Sequence, residues 1–193
     1  MTRLRTRFAP SPTGRLHLGH AASAFAVWDT ARAEGGDVLL RIEDIDQTRC
    51  RPEYETAILE DLEWLGLDWT GKVRRQSDHF DEYSTVLNAL RLRGLVHRCF
   101  LTRREIAARL PAGADPDEGG LVSKPLAKAD EAARLDQQSP FAWRLSLDAA
   151  RAELGPAFDA LHYAEWTETG RREVAARPEW FGDVVLARKD TPA

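Results

Sequence analysis

The sequence predicts an α/β fold in which helices flank a parallel sheet. Leu4 to Phe8 alternates like a strand, and the alanine-rich residues 16–32 favour a helix. Residues 38–42, Val-Leu-Leu-Arg-Ile, are short, apolar and β-branched, as is typical of a buried strand. A strand, a helix and a second strand in this order form a βαβ unit, whose strands run parallel.

A short loop joins the first predicted strand to the first predicted helix. It contains Pro10, Pro12 and Gly14, together with Ser11 and Thr13. Proline cannot continue a strand or enter the interior of a helix, so the chain must turn here. The helix start that follows offers unpaired N–H groups and a positive dipole end, which suit phosphate. The loop is therefore a candidate phosphate-binding element.

Two histidines occupy the first turns of that helix. His17 and His20 are three residues apart, a spacing that places both on one face. Such pairs are often only polar residues on a solvated face, and they could be half of a metal site, although no third ligand follows at a suitable spacing. Gly19 lies between them and lets a ligand approach the backbone. Together with the loop before them, the histidines favour a nucleotide site.

Acidic residues follow the second predicted strand at Glu43, Asp44 and Asp46. Ligands of open α/β sheets bind beyond the carboxyl ends of the strands, where an acid can hold an ammonium group. Acids in such a position also orient turns or cap the next element. For Asp44 and Asp46 we favour this structural role.

Helix caps, apolar periodicity and alternation predict the later elements. We expect helices from Pro52 to Gly66, from Ser77 or Asp78 to Gly94, from Thr102 to Leu110, and over residues 126–137. We expect strands over residues 95–100, 141–147 and 182–188. Residues 111–120 are rich in glycine, proline and acids and predict a loop. Residues 156–178 have no pattern that assigns them.

Composition narrows the classes of function. The chain has 193 residues and a formal net charge of −4, so it has no basic arm for nucleic acid, and any RNA contact must be local. No signal peptide or long apolar span is visible, so we expect no membrane partner. Cys50 and Cys99, the only cysteines, give no disulfide framework. We expect a monomer in the cytoplasm.

The segment Arg7-Phe-Ala-Pro-Ser-Pro-Thr-Gly14, with His17-Leu-Gly-His20, resembles the first signature of class I aminoacyl-tRNA synthetases of the glutamyl branch. The resemblance implies a Rossmann-type catalytic domain that activates glutamate with ATP and Mg²⁺. It implies glutamate contacts from Arg7, Phe8, Ala9, Pro10, Ser11 and Glu43. It implies ATP contacts from Pro12, Thr13, Gly14, His17, Gly19 and His20.

The implied roles are specific. His17 and His20 would be the catalytic residues, which stabilise charge on the phosphate oxygens. Glu43 lies in Arg41-Ile-Glu-Asp-Ile-Asp46, which resembles the amino-acid-binding strand of the family, and it would meet the α-amino group of glutamate. Arg7 would pair with a carboxylate of the substrate.

The resemblance also implies three parts. Residues 1–98 would form the Rossmann-type half that binds the nucleotide and glutamate, and residues 99–181 an insertion that approaches the acceptor end of tRNA. Residues 182–193 would return a strand to the parallel sheet. The family's second signature, a Lys-Met-Ser-Lys-Ser-like loop with an ATP-binding lysine, is absent before Ala193. We therefore expect a C-terminally truncated catalytic domain that is inactive alone.

Three stretches favour the glutamyl-queuosine tRNA(Asp) synthetase branch, whose members attach glutamate to the queuosine base of tRNA(Asp). They are residues 17–21, residues 41–46 together with 49–52, and residues 166–168 together with 182–190. The implied partners are glutamate, ATP and tRNA(Asp) that carries queuosine. Two alternatives are a fragment of a discriminating glutamyl-tRNA synthetase and a non-catalytic nucleotide- or tRNA-binding remnant.

The zinc site of the queuosine-type enzymes is incomplete in this sequence. Those enzymes commonly place zinc on Cys-x-Cys, a tyrosine and a later cysteine. Here Phe100 and Leu101 follow Cys99, and no cysteine occurs in residues 111–125. One thiolate does not make a tetrahedral site. We expect no structural zinc.

Overall fold

A computed structural model of the chain describes residues 3–110, 120–167 and 170–189. The chain divides into two compact units, Met1–Glu82 and Tyr83–Ala193. The first unit contains a parallel sheet covered by helices, which confirms the predicted α/β class. None of the helices among the described residues is long and apolar enough to cross a membrane.

The parallel sheet of the first unit has three strands in the order β1-β2-β3. They are β1 (Arg5–Phe8), β2 (Asp37–Ile42) and the short β3 (Arg74–Arg75). Both neighbouring pairs are parallel, which confirms the predicted βαβ arrangement. The carboxyl ends of β1 and β2 therefore lie side by side, where the loop and Glu43 begin.

Two helices bury the apolar side of this sheet. They are α1 (Leu18–Ala33) and α2 (Pro52–Trp64). The core they form with the strands includes buried Phe8, Trp28, Leu40, Ile42, Ile58 and Leu62. The buried residues Ala24 and Ala31 of α1 have small side chains, which let its backbone lie close to the sheet. Phe8 meets Trp28 edge to face at a centroid distance of 5.8 Å, so the residue that ends β1 is fixed by the helix it leads into.

The second unit contains an antiparallel sheet in the order β4-β5-β8. Helix α3 (Phe80–Leu92) precedes β4 (Val96–Cys99), α4 (Arg103–Ala107) and α5 (Lys128–Asp136). The chain continues with β5 (Ala142–Leu145), α6 (Leu147–Leu154), α7 (Pro156–Asp159), β6 (His162–Thr167), β7 (Gly170–Ala175) and β8 (Val185–Ala187).

The strand expected at residues 182–188 forms as β8, but our prediction that it returns to the parallel sheet is wrong. It pairs with β5 in the antiparallel sheet. The physical reason is Asp183, which is 2% exposed. Its carboxylate accepts hydrogen bonds from the backbone N–H groups of Ser123, at 2.7 Å, and Leu147, at 2.9 Å. The buried Arg144 of β5 donates to the Asp183 carbonyl at 2.6 Å, so this acid fixes the start of β8 beside β5.

Local signals account for several other elements. The Thr102–Glu105 capping box is confirmed, although α4 ends at Ala107 and not at Leu110. The predicted strand to residue 147 ends at Leu145, because Ser146 accepts from the Ala149 N–H and caps α6. Residues 156–178, which had no assignment, include α7 and the antiparallel hairpin β6–β7. Most of the predicted loop, residues 111–119, lies outside the described residues.

Candidate active site

Backbone hydrogen bonds hold the loop between β1 and α1 in place. The N–H of Glu43, just after β2, donates to the carbonyl of Pro10 at 2.9 Å. The N–H of Arg51, the residue before α2, donates to the carbonyl of Pro12 at 3.0 Å, and Pro12 is fully buried. The loop is thus tied to two neighbouring elements, and its position relative to Glu43 is fixed.

A cavity of about 450 Å³ opens beside this loop. The predicted residues that line it are Arg7, Phe8, Ala9, Pro10, Ser11, Thr13, Gly14 and His20. Four other predicted residues do not line it: Pro12, His17, Gly19 and Glu43. The structure therefore gathers most of the expected glutamate and ATP contacts around one space, and their binding roles stay predictions.

Four residues that the sequence interpretation missed also line the cavity: Arg15, Leu16, Ser23 and Val27. Ser23 and Val27 follow His20 by three and seven residues on α1, so helical periodicity counted from His20 would have found them. Leu16 and Arg15 lie in the connection that enters the helix. These four extend the cavity along one face of α1.

Two arginine side chains give the lining of the cavity positive charge. Arg7 and Arg15 are both exposed and line it. Neither guanidinium forms a hydrogen bond or ion pair with another residue in the described part of the chain. An arginine fork without a protein partner matches carboxylate and phosphate groups, so the cavity is suited to anionic ligands.

The two histidines lie where the helix begins, but His17 is the N-cap and precedes the first turn in which we placed it. Its Nδ1 accepts a hydrogen bond from the Gly19 N–H at 3.1 Å. The Nδ1 of His20 accepts from the His17 N–H at 3.2 Å. The rings stack with a centroid distance of 3.8 Å and an interplanar angle of 31°. The pair therefore caps α1 reciprocally, which the sequence interpretation did not foresee.

The acids after β2 have different partners. Glu43 forms an ion pair with Arg41. Asp44 accepts from the Ser77 N–H at 2.9 Å and from the Ser77 hydroxyl, so it fixes the segment after β3. Asp46 accepts hydrogen bonds from Thr48 and from Arg49, which together lower its pKa to about 2. The structural role favoured for Asp44 and Asp46 is confirmed.

No group of three or more histidine, cysteine or acidic side chains that could hold a metal occurs among the described residues. Cys99 is buried and free, and His97 shares a 2.9 Å hydrogen bond with the Ser123 hydroxyl. Cys50 is also free, and burial raises the pKa of its thiol. The expected absence of zinc stays a prediction, which elemental analysis of the purified chain can test.

Residues 3–153 match the family model of class I tRNA synthetases for glutamate and glutamine, catalytic domain. The chain belongs to this family. The match begins before the signature loop and includes both histidines and Glu43. It confirms the resemblance on which the site residues were predicted.

Individual relatives agree with this family. The chain is 46% identical, over 189 residues, to the glutamyl-Q tRNA(Asp) synthetase of Rhodobacter capsulatus, and the match covers 96% of this chain and 67% of that protein. It is 38% identical to glutamate–tRNA ligase 2 of Cereibacter sphaeroides, over 96% of this chain and 40% of the ligase. This synthetase domain thus spans about two thirds of the first relative and 40% of the second.

Solved structures show the same fold. The crystal structure of a glutamate tRNA ligase from Elizabethkingia meningosepticum, in complex with its amino acid, matches with a TM-score of 0.66 and 28% identity. The match covers all of this chain and 40% of that one. This synthetase domain therefore has the fold of a class I glutamate tRNA ligase. It matches 40% of the length of that ligase.

Proposed function

We propose that this synthetase domain activates glutamate with ATP to form glutamyl-adenylate, and that the acceptor is the queuosine base of tRNA(Asp). The observation that carries the first part is the cavity beside the signature loop, whose lining includes Arg7 and Arg15, two arginines with no partner among the described residues. The second part is supported by the 46% identity, over almost the whole chain, to a protein named glutamyl-Q tRNA(Asp) synthetase. The chain spans about two thirds of that relative, so the activity of the whole protein is part of the proposal.

The chemistry begins with orientation of glutamate. Arg7 would pair with a carboxylate of the substrate, and Glu43 with its ammonium group. The hydrogen bond from the Glu43 N–H to the Pro10 carbonyl fixes the backbone of Glu43 beside the loop that follows Arg7, which supports this pair of contacts. The other carboxylate of glutamate would then be the one that reacts with ATP.

A glutamate carboxylate oxygen attacks the α-phosphorus of ATP, a new P–O bond forms, and pyrophosphate leaves with the electron pair of the broken P–O bond. Negative charge grows on the phosphate oxygens in the transition state. His20 and His17, with the N-terminus of α1, would stabilise that charge. In the transfer to the tRNA base, a hydroxyl oxygen attacks the acyl carbonyl carbon and forms a new C–O bond. AMP leaves with the electron pair of the broken C–O bond, and the hydroxyl proton passes to solvent.

Magnesium would accompany ATP, where it neutralises charge on the phosphates. The described residues that line the cavity include no carboxylate, so we assign the ion no protein ligand. We also keep the division at residues 98 and 181, and the approach of the insertion to tRNA, as proposals. Two free cysteines support a cytoplasmic location.

Transfer of labelled glutamate tests the acceptor. The protein, in its full-length form, is incubated with glutamate, ATP and either tRNA(Asp) with queuosine, tRNA(Asp) without it, or tRNA(Glu). We expect label only on tRNA(Asp) that carries queuosine. Label on tRNA(Glu) would favour the discriminating glutamyl-tRNA synthetase, and ATP binding without any adenylate would favour a non-catalytic remnant.

A further inference from the structure

The start of α1 uses one ring nitrogen of each signature histidine. The Gly19 N–H donates to Nδ1 of His17, and the His17 N–H donates to Nδ1 of His20. A backbone N–H is always a donor, so each Nδ1 must accept and cannot carry a proton. In a neutral imidazole the proton then resides on the other nitrogen, Nε2.

The stacked rings point to the same protonation state. Their centroids are 3.8 Å apart. Two imidazolium cations at this distance would repel each other, and each would also lose its Nδ1 hydrogen bond. The arrangement therefore favours two neutral rings over two charged ones. The two nitrogens of an imidazole point in roughly opposite directions, so each Nε2–H points away from the backbone donor that binds Nδ1.

Gly19 has a second role in this arrangement. A Cβ built at Gly19 would lie 3.0 Å from Cε1 and 3.2 Å from Nδ1 of the His17 ring. Contacts that short are tighter than nine in ten real Cβ contacts, so a side chain here would require the His17 ring to shift by a few tenths of an ångström. The same residue supplies the N–H that fixes Nδ1. Gly19 thus holds the His17 ring by a hydrogen bond and by the absence of a side chain.

We infer that His17 and His20 are both held as neutral Nε2–H tautomers by their reciprocal capping bonds, that Gly19 is the positioning residue for His17, and that the two Nε2–H groups are the donors offered to phosphate. The phosphate part rests on the proposed function. The tautomers and the role of Gly19 depend only on the geometry of the free protein. The catalytic pair would stabilise the transition state as oriented neutral donors, not as cations.

Nitrogen NMR of the full 193-residue chain, isotopically labelled at its histidines, tests the tautomers of His17 and His20 directly. Spectra are recorded at about pH 8, above the ordinary histidine pKa of about 6.5. A freely solvated ring averages its two tautomers, whereas a fixed ring shows one protonated and one unprotonated nitrogen. The variants His17→Gln and His20→Gln assign the two signals. We expect both rings to show an unprotonated Nδ1 and a protonated Nε2.

Gly19→Ala should shift the His17 signals towards the averaged values of a free ring. Leu18→Ala is the matched control, since Leu18 neighbours Gly19 on the same turn and is 89% exposed, and it should leave both rings unchanged. Unshifted signals of His79, His97 and His162 show that each variant is folded. Averaged tautomers or a protonated Nδ1 in the unaltered chain would overturn the inference, and an unchanged His17 spectrum in Gly19→Ala would overturn the role of Gly19.

The NMR response to ATP distinguishes a failure of this inference from a failure of the proposed function. Saturating ATP should shift the Nε2 signals of both rings more than their Nδ1 signals. If Nε2 does not respond, the phosphate role fails, whatever the tautomers are. If ATP binds and the tautomers are not fixed, the inference fails while the proposed function stands.

Discussion

The guanidinium of Arg41 forms an ion pair with the carboxylate of Glu43, two residues further along the chain. The contact uses Oε1 of Glu43. Arg41 belongs to β2, and Glu43 is held beside the loop by its bond to Pro10. Both side chains are partly exposed, at 24% and 33%, so a ligand can reach the pair. A substrate ammonium group would therefore share the Glu43 carboxylate with Arg41.

Replacement of Glu43 by glutamine should weaken glutamate activation strongly. The variant keeps the shape of the side chain but removes its charge, so the ammonium group loses its partner and Arg41 is left uncompensated. We expect a loss of roughly 2–5 kcal/mol in kcat/KM for glutamate, the range for removal of one member of a buried charge pair. The measurement is glutamate-dependent ATP–pyrophosphate exchange in the full-length protein.

Glu55→Gln is the matched control for that variant. Glu55 is also paired with an arginine, Arg75, but it lies in the first turn of α2 and is not one of the predicted site residues. It should leave the exchange rate unchanged. Equal kcat/KM in the unaltered protein and in Glu43→Gln would contradict the role of Glu43.

Two substitutions at His17 separate capping from catalysis. Asparagine is a strong N-cap, so His17→Asn should keep the stability of α1, whereas His17→Ala should lose roughly 0.5–2 kcal/mol. Both variants lack the imidazole Nε2 donor, and we expect both to lower the exchange rate by about 10²–10³-fold. Thermal unfolding and exchange are measured together. Normal exchange in a stable His17→Asn protein would show that His17 acts only as a cap.

The parts of the fold that the sequence predicts are those fixed by local signals. Strand β1, the proline loop, α1 and β2 follow from alternation, proline chemistry and helix propensity within about forty residues. The pairing of β8 depends instead on the buried Asp183, whose partner Ser123 is sixty residues away. The hairpin β6–β7 was missed because both of its faces carry exposed side chains, so no apolar alternation marks its strands.

The candidate site also contains residues that local sequence predicts and residues that only the folded structure brings to it. Its loop residues form one contiguous motif, so they could be predicted together. Ser23 and Val27 reach the cavity only through the turn of α1, and Arg41 meets Glu43 only through the conformation of both side chains. The capping by His17 was not predicted because the preferred N-cap residues are serine, threonine, aspartate, asparagine and glycine.

Gly36 should be intolerant of any side chain. A Cβ there would lie 2.7 Å from the carbonyl oxygen of Leu4, a backbone atom at the start of the parallel sheet. We expect Gly36→Ala to destabilise the chain by roughly 1–3 kcal/mol, as overpacking does. Gly14→Ala is the control, because no atom of the described residues outside its own neighbours lies within 4 Å of its Cβ position. Thermal unfolding should show a lower Tm for Gly36→Ala alone, and equal Tm values would contradict the packing described.

His97 should make stability depend on pH. Burial lowers its pKa, and the opposing field of Asp183 does not reverse that shift. The folded chain then binds fewer protons than the unfolded chain below the ordinary histidine pKa of about 6.5. The stabilisation is complete above that value and is lost as the pH falls below it.

Denaturant unfolding at about pH 7.5 and about pH 5.5 measures this loss, since these values lie on either side of the ordinary histidine pKa. The unaltered chain should lose more stability than His97→Gln between the two conditions, because glutamine does not titrate. The same loss in both proteins would show that other groups cause the pH dependence.

Glutamate-dependent ATP–pyrophosphate exchange tests most directly whether this site activates glutamate. It is measured on the 193-residue chain and on the chain extended to the length of its glutamyl-Q relative. We predict rapid exchange in the extended chain with glutamate, none with glutamine, and little in the 193-residue chain, which lacks the second signature. No glutamate-dependent exchange in the extended chain would contradict the proposed activity, and equal exchange in both chains would show that the site is complete without the second signature.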